Sequence, residues 1–341
     1  KSNEFFHYPT SQTDQKGSYT NGNNDEIYWD GNIRLNWVKN IGQNNINIVA
    51  GSNIRSDFSD YRSFTAHGFA NDRFTSIGFS KGYLENAKPY SSLNQSRLLG
   101  AFLSANYSFA NTYLFDATVR ADGSSKFGSN NRVAPFWSTG IGWNVHNESW
   151  FDVASISQLR FRATTGVTGA VQFSPYMSRT TYAYQQDNWY SSGIGAIVNN
   201  YGNDNLSWQK TRSTDLGIDL ALFQDRITIS PRYYYKLTKD ILADINIAPS
   251  TGFVSYKENL GDMQNKGYEL NFNAFALKKQ DWTLSFMANF VRNENKIVKI
   301  SNALKSYNDR VDDAQGDNSL MGVPLLRYNE GQSVDAIYAV P

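Results

Sequence analysis

Cysteine is absent from the 341 residues, which removes disulfides, thiolate metal sites and thiol nucleophiles in one step. No stretch approaches the roughly 18 consecutive apolar residues that a membrane-crossing helix requires. If this protein crosses a membrane, it crosses as strands. Neither sign of charge dominates: 32 basic residues face 31 acidic ones, a net charge of +1, so no global field points to nucleic acid or to an anionic surface. Histidine is also scarce. His7, His67 and His146 stand far apart, no G-x-S-x-G or phosphate-cradling glycine loop occurs, and neither an enzyme nor a cofactor site is expected. The first residue is Lys1, with no Met and no charged-then-apolar leader, which reads as a fragment or a processed product.

What the sequence does have is aromatic residues, 21 Tyr, 21 Phe and 8 Trp, on a chain whose mean hydropathy is a polar −0.52. A disordered chain would lack them. They fall in repeated period-two patterns. Tyr113, Phe115, Ala117, Val119 and Ala121 alternate with Asp116, Thr118, Arg120 and Asp122. Trp29, Ile33, Leu35 and Trp37 alternate with Asp30, Asn32, Arg34 and Asn36, and similar runs recur at 159–167, 216–222, 227–236, 268–272 and 282–290. The segments that carry these runs are expected to be about 10 to 13 residues each, longer than an ordinary globular strand and matched to a tilted strand crossing a bilayer.

The connections alternate in length. Short ones lie at 39–44, 108–111, 147–155, 223–226 and 278–281, and long polar ones at 57–95, 123–133, 169–205, 240–266 and 294–332. Outer-membrane barrels pair short periplasmic turns with long extracellular loops, so 113–122 is expected to run outward and 136–145 to return. A soluble β-sandwich or propeller also uses alternating strands, but long loops on one side only are unusual there. The fold expected is an all-β, antiparallel transmembrane β-barrel spanning 1–341, with Tyr113, Phe115 and Val119 facing lipid. It is partial. About ten to twelve strands are visible, residues 331–338 look like the start of another, and an open edge in lipid would leave backbone groups unsatisfied, so further strands are expected outside the chain.

Several motifs then stand in order. Arg120, Asp122, Gly123, Ser124, Ser125, Lys126 and Phe127 are followed by Asn131, Arg132, Ala134, Pro135, Phe136, Trp137, Ser138, Gly142 and Trp143. Residues 159–169 read L-R-F-R-A-T-T-G-V-T-G; Asn205, Leu206, Trp208, Gln209 and Thr211 come next. After them stand Gly217, Ile218, Asp219, Phe223 and Arg226, then Tyr235, Lys236, Thr238, Asp240, Ile241 and Leu242, then Gly252, Asn259, Gly261, Asn265, Gly267 and Glu269. This ordered series, from about 68 to 331, resembles TonB-dependent transporters of the SusC/RagA type, with Gln209 where that family usually carries Glu.

The resemblance implies a Gram-negative outer-membrane barrel of about 22 strands with an N-terminal plug. It also implies energy from TonB, contacted through an N-terminal region this chain lacks, and a SusD-like surface lipoprotein as partner. The plug and the closing C-terminal strands are expected to lie outside this chain. The function implied is active import of a bulky nutrient, an oligosaccharide rather than an oligopeptide. A passive porin, or an adhesin or assembly barrel, would suit the same strands.

Candidate sites are few. Asp309, Asp312, Asp313 and Asp317 invite a calcium reading, but their spacing misses the EF-hand pattern and a solvated loop face is expected. His146 and Glu148 fall at a periplasmic turn. Trp29, Trp37, Trp137, Trp143 and Trp282 suit membrane girdles or packing. Tyr182, Tyr184, Trp189 and Tyr190 differ, because they crowd the long extracellular connection at 169–205. There they could contact a substrate or the lipoprotein lid, or pack the loop on itself.

Overall fold

In a bilayer a strand finds backbone partners only in its neighbours, and the fold follows from that requirement. The structure is a computed structural model describing residues 2–9, 17–83, 88–171, 173–246, 255–316 and 327–336. Its strands are β1 (Ser2–His7), β2 (Ser18–Ile41), β3 (Asn44–His67), β4 (Gly82–Tyr83), β5 (Tyr90–Phe109), β6 (Tyr113–Ser124) and β7 (Val133–Asn144). There follow β8 (Ile156–Ala170), β9 (Thr181–Tyr190), β10 (Gly193–Asn200), β11 (Gln209–Leu222), β12 (Ile227–Asn246), β13 (Ser255–Lys278), β14 (Thr283–Ile300) and one helix, α1 (Asn302–Gly316). Among the described residues the main sheet is 12-stranded, in the order β1-β2-β3-β5-β6-β7-β8-β11-β12-β13-β14 with β4 paired to β3. Every pairing is antiparallel, and chain neighbours pair except at two places: β4 pairs with β3 alone, so β3 meets β5, and β9 and β10 leave the sheet, so β8 pairs directly with β11.

The register carries one apolar row across the wall. Tyr107 opposes Phe115, which opposes Ile141, then Ala163, Leu216, Tyr233 and Tyr268. Tyr113, Phe115 and Val119 are all exposed on this face, as are Trp29, Trp37, Trp137, Trp143 and Trp282. In water such a surface would be an aggregation hazard; in lipid it is the solvated side. The opposite face is polar, and several of its charges are matched in pairs. Arg120 holds both oxygens of Asp122 at 2.7 Å and donates to Asn53 Oδ1 at 2.6 Å. Arg162 pairs with Asp219 at 3.2 Å, and Arg232 bridges Asp215 and, at 3.3 Å, Glu269.

Three expectations are corrected. Strands β2, β3 and β13 have 24 residues each, far beyond the expected 10 to 13, so much of 57–95 and 240–266 is strand rather than loop, whereas of 294–332 only 294–300 is strand and 302–316 is helix. At about 3.3 Å per residue such a strand is roughly 80 Å long, well beyond an apolar core of about 30 Å even when tilted. Above the lipid both faces meet water, so pairing continues without the alternation that betrays it. Second, Asp309, Asp312 and Asp313 lie on the exposed face of α1, not in a loop, with Asp312 paired to Arg327 at 2.6 Å; Asp317 lies outside the described residues. The buried face of α1 carries Leu304, Asn308 and Val311, and Leu304 packs with Ile297 and Ile300 of β14. Third, residues 331–336 form turns instead of a strand: Gly331 N–H donates to the Ile297 carbonyl at 2.8 Å, and the Gln332 carbonyl accepts from Ile297 N–H at 2.8 Å. Residues 337 and 338 lie outside the described residues.

The short turns gather at one end of the sheet. Ala110 and Asn111 adopt φ of 51° and 54°, and Phe223, Gln224 and Asp225 are also left-handed, conformations costly for side-chain-bearing residues and tolerated where the turn must be tight. In the turn after β7, His146 Nδ1 lies 3.0 Å from the Leu159 carbonyl. Glu148 Oε1 accepts from Tyr113 Oη at 2.7 Å and Trp143 Nε1 at 2.8 Å. The Tyr113 hydroxyl first, and then the Trp143 indole, hold the Glu148 carboxyl below its usual range, so it is an anion at neutral pH.

The two-faced wall makes a directional claim. Val119→Arg places a charge on the lipid side and is expected to destabilise the full-length barrel by about 2–4 kcal/mol in lipid vesicles, while Val119→Leu is close to neutral. Denaturant titration followed by heat-dependent gel migration checks it; equal stability of the two variants would remove Val119 from the lipid face.

Candidate functional site

At the long-loop end the main sheet does not simply fray. The loops after β6 and β8, the start of β7 and the segment before β11 meet in a core of Phe127, Ala134, Phe136, Phe173, Leu206 and Trp208. Phe127 and Leu206 are 0% exposed and Trp208 4%, in a chain whose sheet otherwise faces lipid or lumen. Phe127 stacks on Trp208 with ring centroids 4.7 Å apart, and Phe173 and Phe136 meet this pair edge-on at 5.0 and 5.5 Å. Burying each such ring is worth about 1.5–3 kcal/mol, enough to order the loops that supply them.

Polar contacts close the same core. Trp208 Nε1 donates to the Asn131 carbonyl at 3.1 Å, and Asn131 Nδ2 donates to the Asn205 carbonyl at 3.0 Å. Lys126 Nζ reaches the Phe173 carbonyl at 3.1 Å, and Ser178 Oγ donates to the Lys126 carbonyl at 2.8 Å. Asn259 accepts from Ser207 N–H at 3.1 Å and donates to the Asp240 carbonyl at 2.7 Å, tying β11's approach to β12 and β13. Two glycines permit the close approach: a Cβ on Gly128 would lie 2.5 Å from the Asp204 carbonyl oxygen, and one on Gly202 would overlap the Arg179 backbone.

From this anchored rim projects the two-stranded sheet of β9 and β10. Residues 169–205, expected as a loop, are thus largely a hairpin. All four aromatic candidates lie on β9. Tyr182 pairs with Val198 and Tyr184 with Ala196, two residues apart and so on one face, exposed at 64% and 72%. The register then slips between Ile194 and Gly195; beyond it Tyr190, 66% exposed, opposes Gly193 at the tip, and Trp189 opposes Ile194. The Trp189 side chain lies outside the described residues. The structure therefore joins Tyr182 and Tyr184 in one surface and sets Tyr190 apart from them. Phe127, Leu206 and Trp208 are the residues that the sequence marked only as architecture. Their motif spacing was visible; their convergence, across some 80 residues of chain, was not.

A membrane-spanning meander, polar on one side and rimmed by motif-bearing loops, can be set against known proteins. Residues 1–338 match the family described as TonB dependent receptor-like, β-barrel. The chain belongs to this family, as an outer-membrane barrel of the SusC/RagA type. It is 32% identical over 309 residues to TonB-dependent receptor P3 of Formosa agariphila, covering 89% of this chain and 30% of that protein. It is 30% identical over 285 residues to TonB-dependent receptor SusC of Bacteroides thetaiotaomicron, covering 79% of this chain and 27% of SusC. The solved structure of the RagAB peptide transporter superposes with a TM-score of 0.81 at 24% identity, covering 89% of this chain and 34% of that one. The chain spans about a third or less of the length of the relatives it matches.

In this TonB-dependent receptor barrel the rim core should act as the hairpin's anchor. Trp208→Ala in the full-length protein is expected to expose residues 181–200 to limited proteolysis while heat-dependent barrel migration persists, and Gly202→Ala should act in the same direction. Trp282→Ala, at an exposed indole far from the rim core, serves as the control. Unchanged protease resistance in Trp208→Ala would detach the hairpin's order from the core.

Proposed function

We propose that the chain forms part of the wall and outer rim of an active importer for a bulky nutrient, an oligosaccharide rather than an oligopeptide. The observation that carries this reading is the anchored hairpin: an ordered aromatic surface held beyond the membrane where incoming solute is met first. Connections of this length are uncommon unless functional. Residues 181–200 carry a single charge, Asp187, among Tyr, Trp, Asn, Gln and Ser. Aromatic faces stack on sugar rings and side-chain amides serve hydroxyls, whereas peptides of mixed charge would find one carboxylate and no cation here. The likeness to the RagAB peptide transporter, at 24% identity, bears on the fold and not on the cargo. The relationship to SusC supports the rest of the proposal: a SusD-like lipoprotein closing over the rim, and TonB acting through a plug that precedes this wall in the complete protein. On the lumen face Arg120, Arg162 and Arg232 are each offset by a carboxylate, which suits an uncharged solute.

The double variant Tyr182→Ala/Tyr184→Ala in the full-length protein is expected to weaken binding of a panel of neutral oligosaccharides by about 10- to 30-fold in calorimetry, with barrel migration unchanged. Growth of the gene deletion on the same glycans and on peptide mixtures gives the physiological counterpart. Retained glycan affinity in the variant, together with growth lost only on peptides, would reverse the cargo assignment.

A further inference from the structure

On the lipid side, near the short turns, the wall is not smooth. A groove of about 950 Å³ runs across β6 to β14 between two cross-strand rows. Along one row Tyr113 opposes Trp143, Trp143 opposes Phe161, and Phe161 opposes Ile218; the row continues through Leu270 and Phe290. Beside it, Ala163 stands between the larger Ile141 and Leu216 and leaves the depression. The groove's lining is almost wholly apolar, and its volume falls within the roughly 300–1,000 Å³ of pockets that enclose one small amphiphile.

Direction matters as much as volume. Cross-strand rows lie perpendicular to the strands, and barrel strands tilt by roughly 35–45°, so such a row climbs obliquely through the bilayer. Tyr113 is the first residue of β6, at the short-turn rim, whereas Phe290 lies well inside β14. One end of the groove is thus at the periplasmic interface and the other toward the bilayer's middle. At the interfacial end stands Glu148, held by the Tyr113 hydroxyl and the Trp143 indole, the same rings that open the groove. These donors are neutral: they fix the carboxylate without cancelling its charge, and no cation forms an ion pair with it among the described residues.

From this geometry we infer that the groove is a seat for one phospholipid of the periplasmic leaflet with a primary-amine headgroup, its ammonium on Glu148 and an acyl chain along Tyr113, Phe161, Ala163 and Ile218. An ammonium supplies the missing counter-charge as a charge-assisted hydrogen bond, made stronger by the low dielectric of the interface. An anionic headgroup would meet the carboxylate with like charge. The site lies outside the barrel and does not depend on what the lumen carries.

The test is native mass spectrometry of the full-length protein after exposure to vesicles of equal palmitoyl-oleoyl phosphatidylethanolamine and phosphatidylglycerol. The wild type is expected to retain one phosphatidylethanolamine over phosphatidylglycerol by about tenfold. Glu148→Gln, which keeps shape and removes charge, is expected to bring that preference to within about twofold. Ala163→Trp, which fills the depression, is expected to lose retention of either lipid, with heat-dependent migration checking that the barrel is folded. Should Ala163→Trp not fold, Glu148→Gln decides alone. Equal retention of both lipids by the wild type, an unchanged preference in Glu148→Gln, or full retention by a folded Ala163→Trp would each overturn the assignment.

Discussion

Hydrocarbon offers no hydrogen-bond partner to a peptide group, and nearly everything in this chain follows from that constraint. Each strand must take its partners from the strands beside it, so the chain meanders, neighbour against neighbour, from β2 to β14. The same ladder forces alternation of side chains. One face must dissolve in lipid, which places Phe115, Ile141 and Leu216 in one row, and the other must line an aqueous space, which places Asp116, Arg162 and Arg232 opposite. On the polar face Arg120, Arg162 and Arg232 each find a carboxylate on their own or a neighbouring strand.

Beyond the lipid the constraint changes, and the structure changes with it. Water can satisfy free backbone groups, so loops need not pair, but they then require a core to be ordered. The rim supplies one from Phe127, in the connection after β6, and from Leu206 and Trp208, in the segment that leads into β11. Their packing fixes the base of the β9–β10 hairpin and so converts a long connection into a surface with a defined aromatic face. Helix α1 repeats the principle on a smaller scale, with Leu304 seated on Ile297 and Ile300.

How much was legible in the sequence follows the same division. Within the membrane, each position has one solvent, so Tyr113 through Asp122 announces its strand, its two faces and its direction. Above the membrane both faces are wet: Asn21 to Asp25 of β2 and Asp57 to Arg62 of β3 show no alternation, and only pairing across the ladder reveals them as strand. The spacing of Leu304, Asn308 and Val311 fits a helix, but it sits in so polar a stretch that it reads as loop. The aromatic cluster on β9 was visible as composition; which rings share a face depends on the register slip at Ile194 and Gly195, a feature of pairing that no local pattern encodes.

The central claim is a membrane wall with one lipid face and one aqueous face, alternating residue by residue. This chain has no cysteine of its own, so single cysteines can be placed along 113–122 in the full-length protein, with any cysteine outside this chain replaced, embedded in outer membranes, and challenged with a lipid-soluble and a water-soluble thiol reagent. The account requires Cys at Phe115, Ala117, Val119 and Ala121 to react with the lipid-soluble reagent, and Cys at Asp116, Thr118 and Arg120 to react with the water-soluble one. Loss of that alternation, or its inversion, would contradict the account.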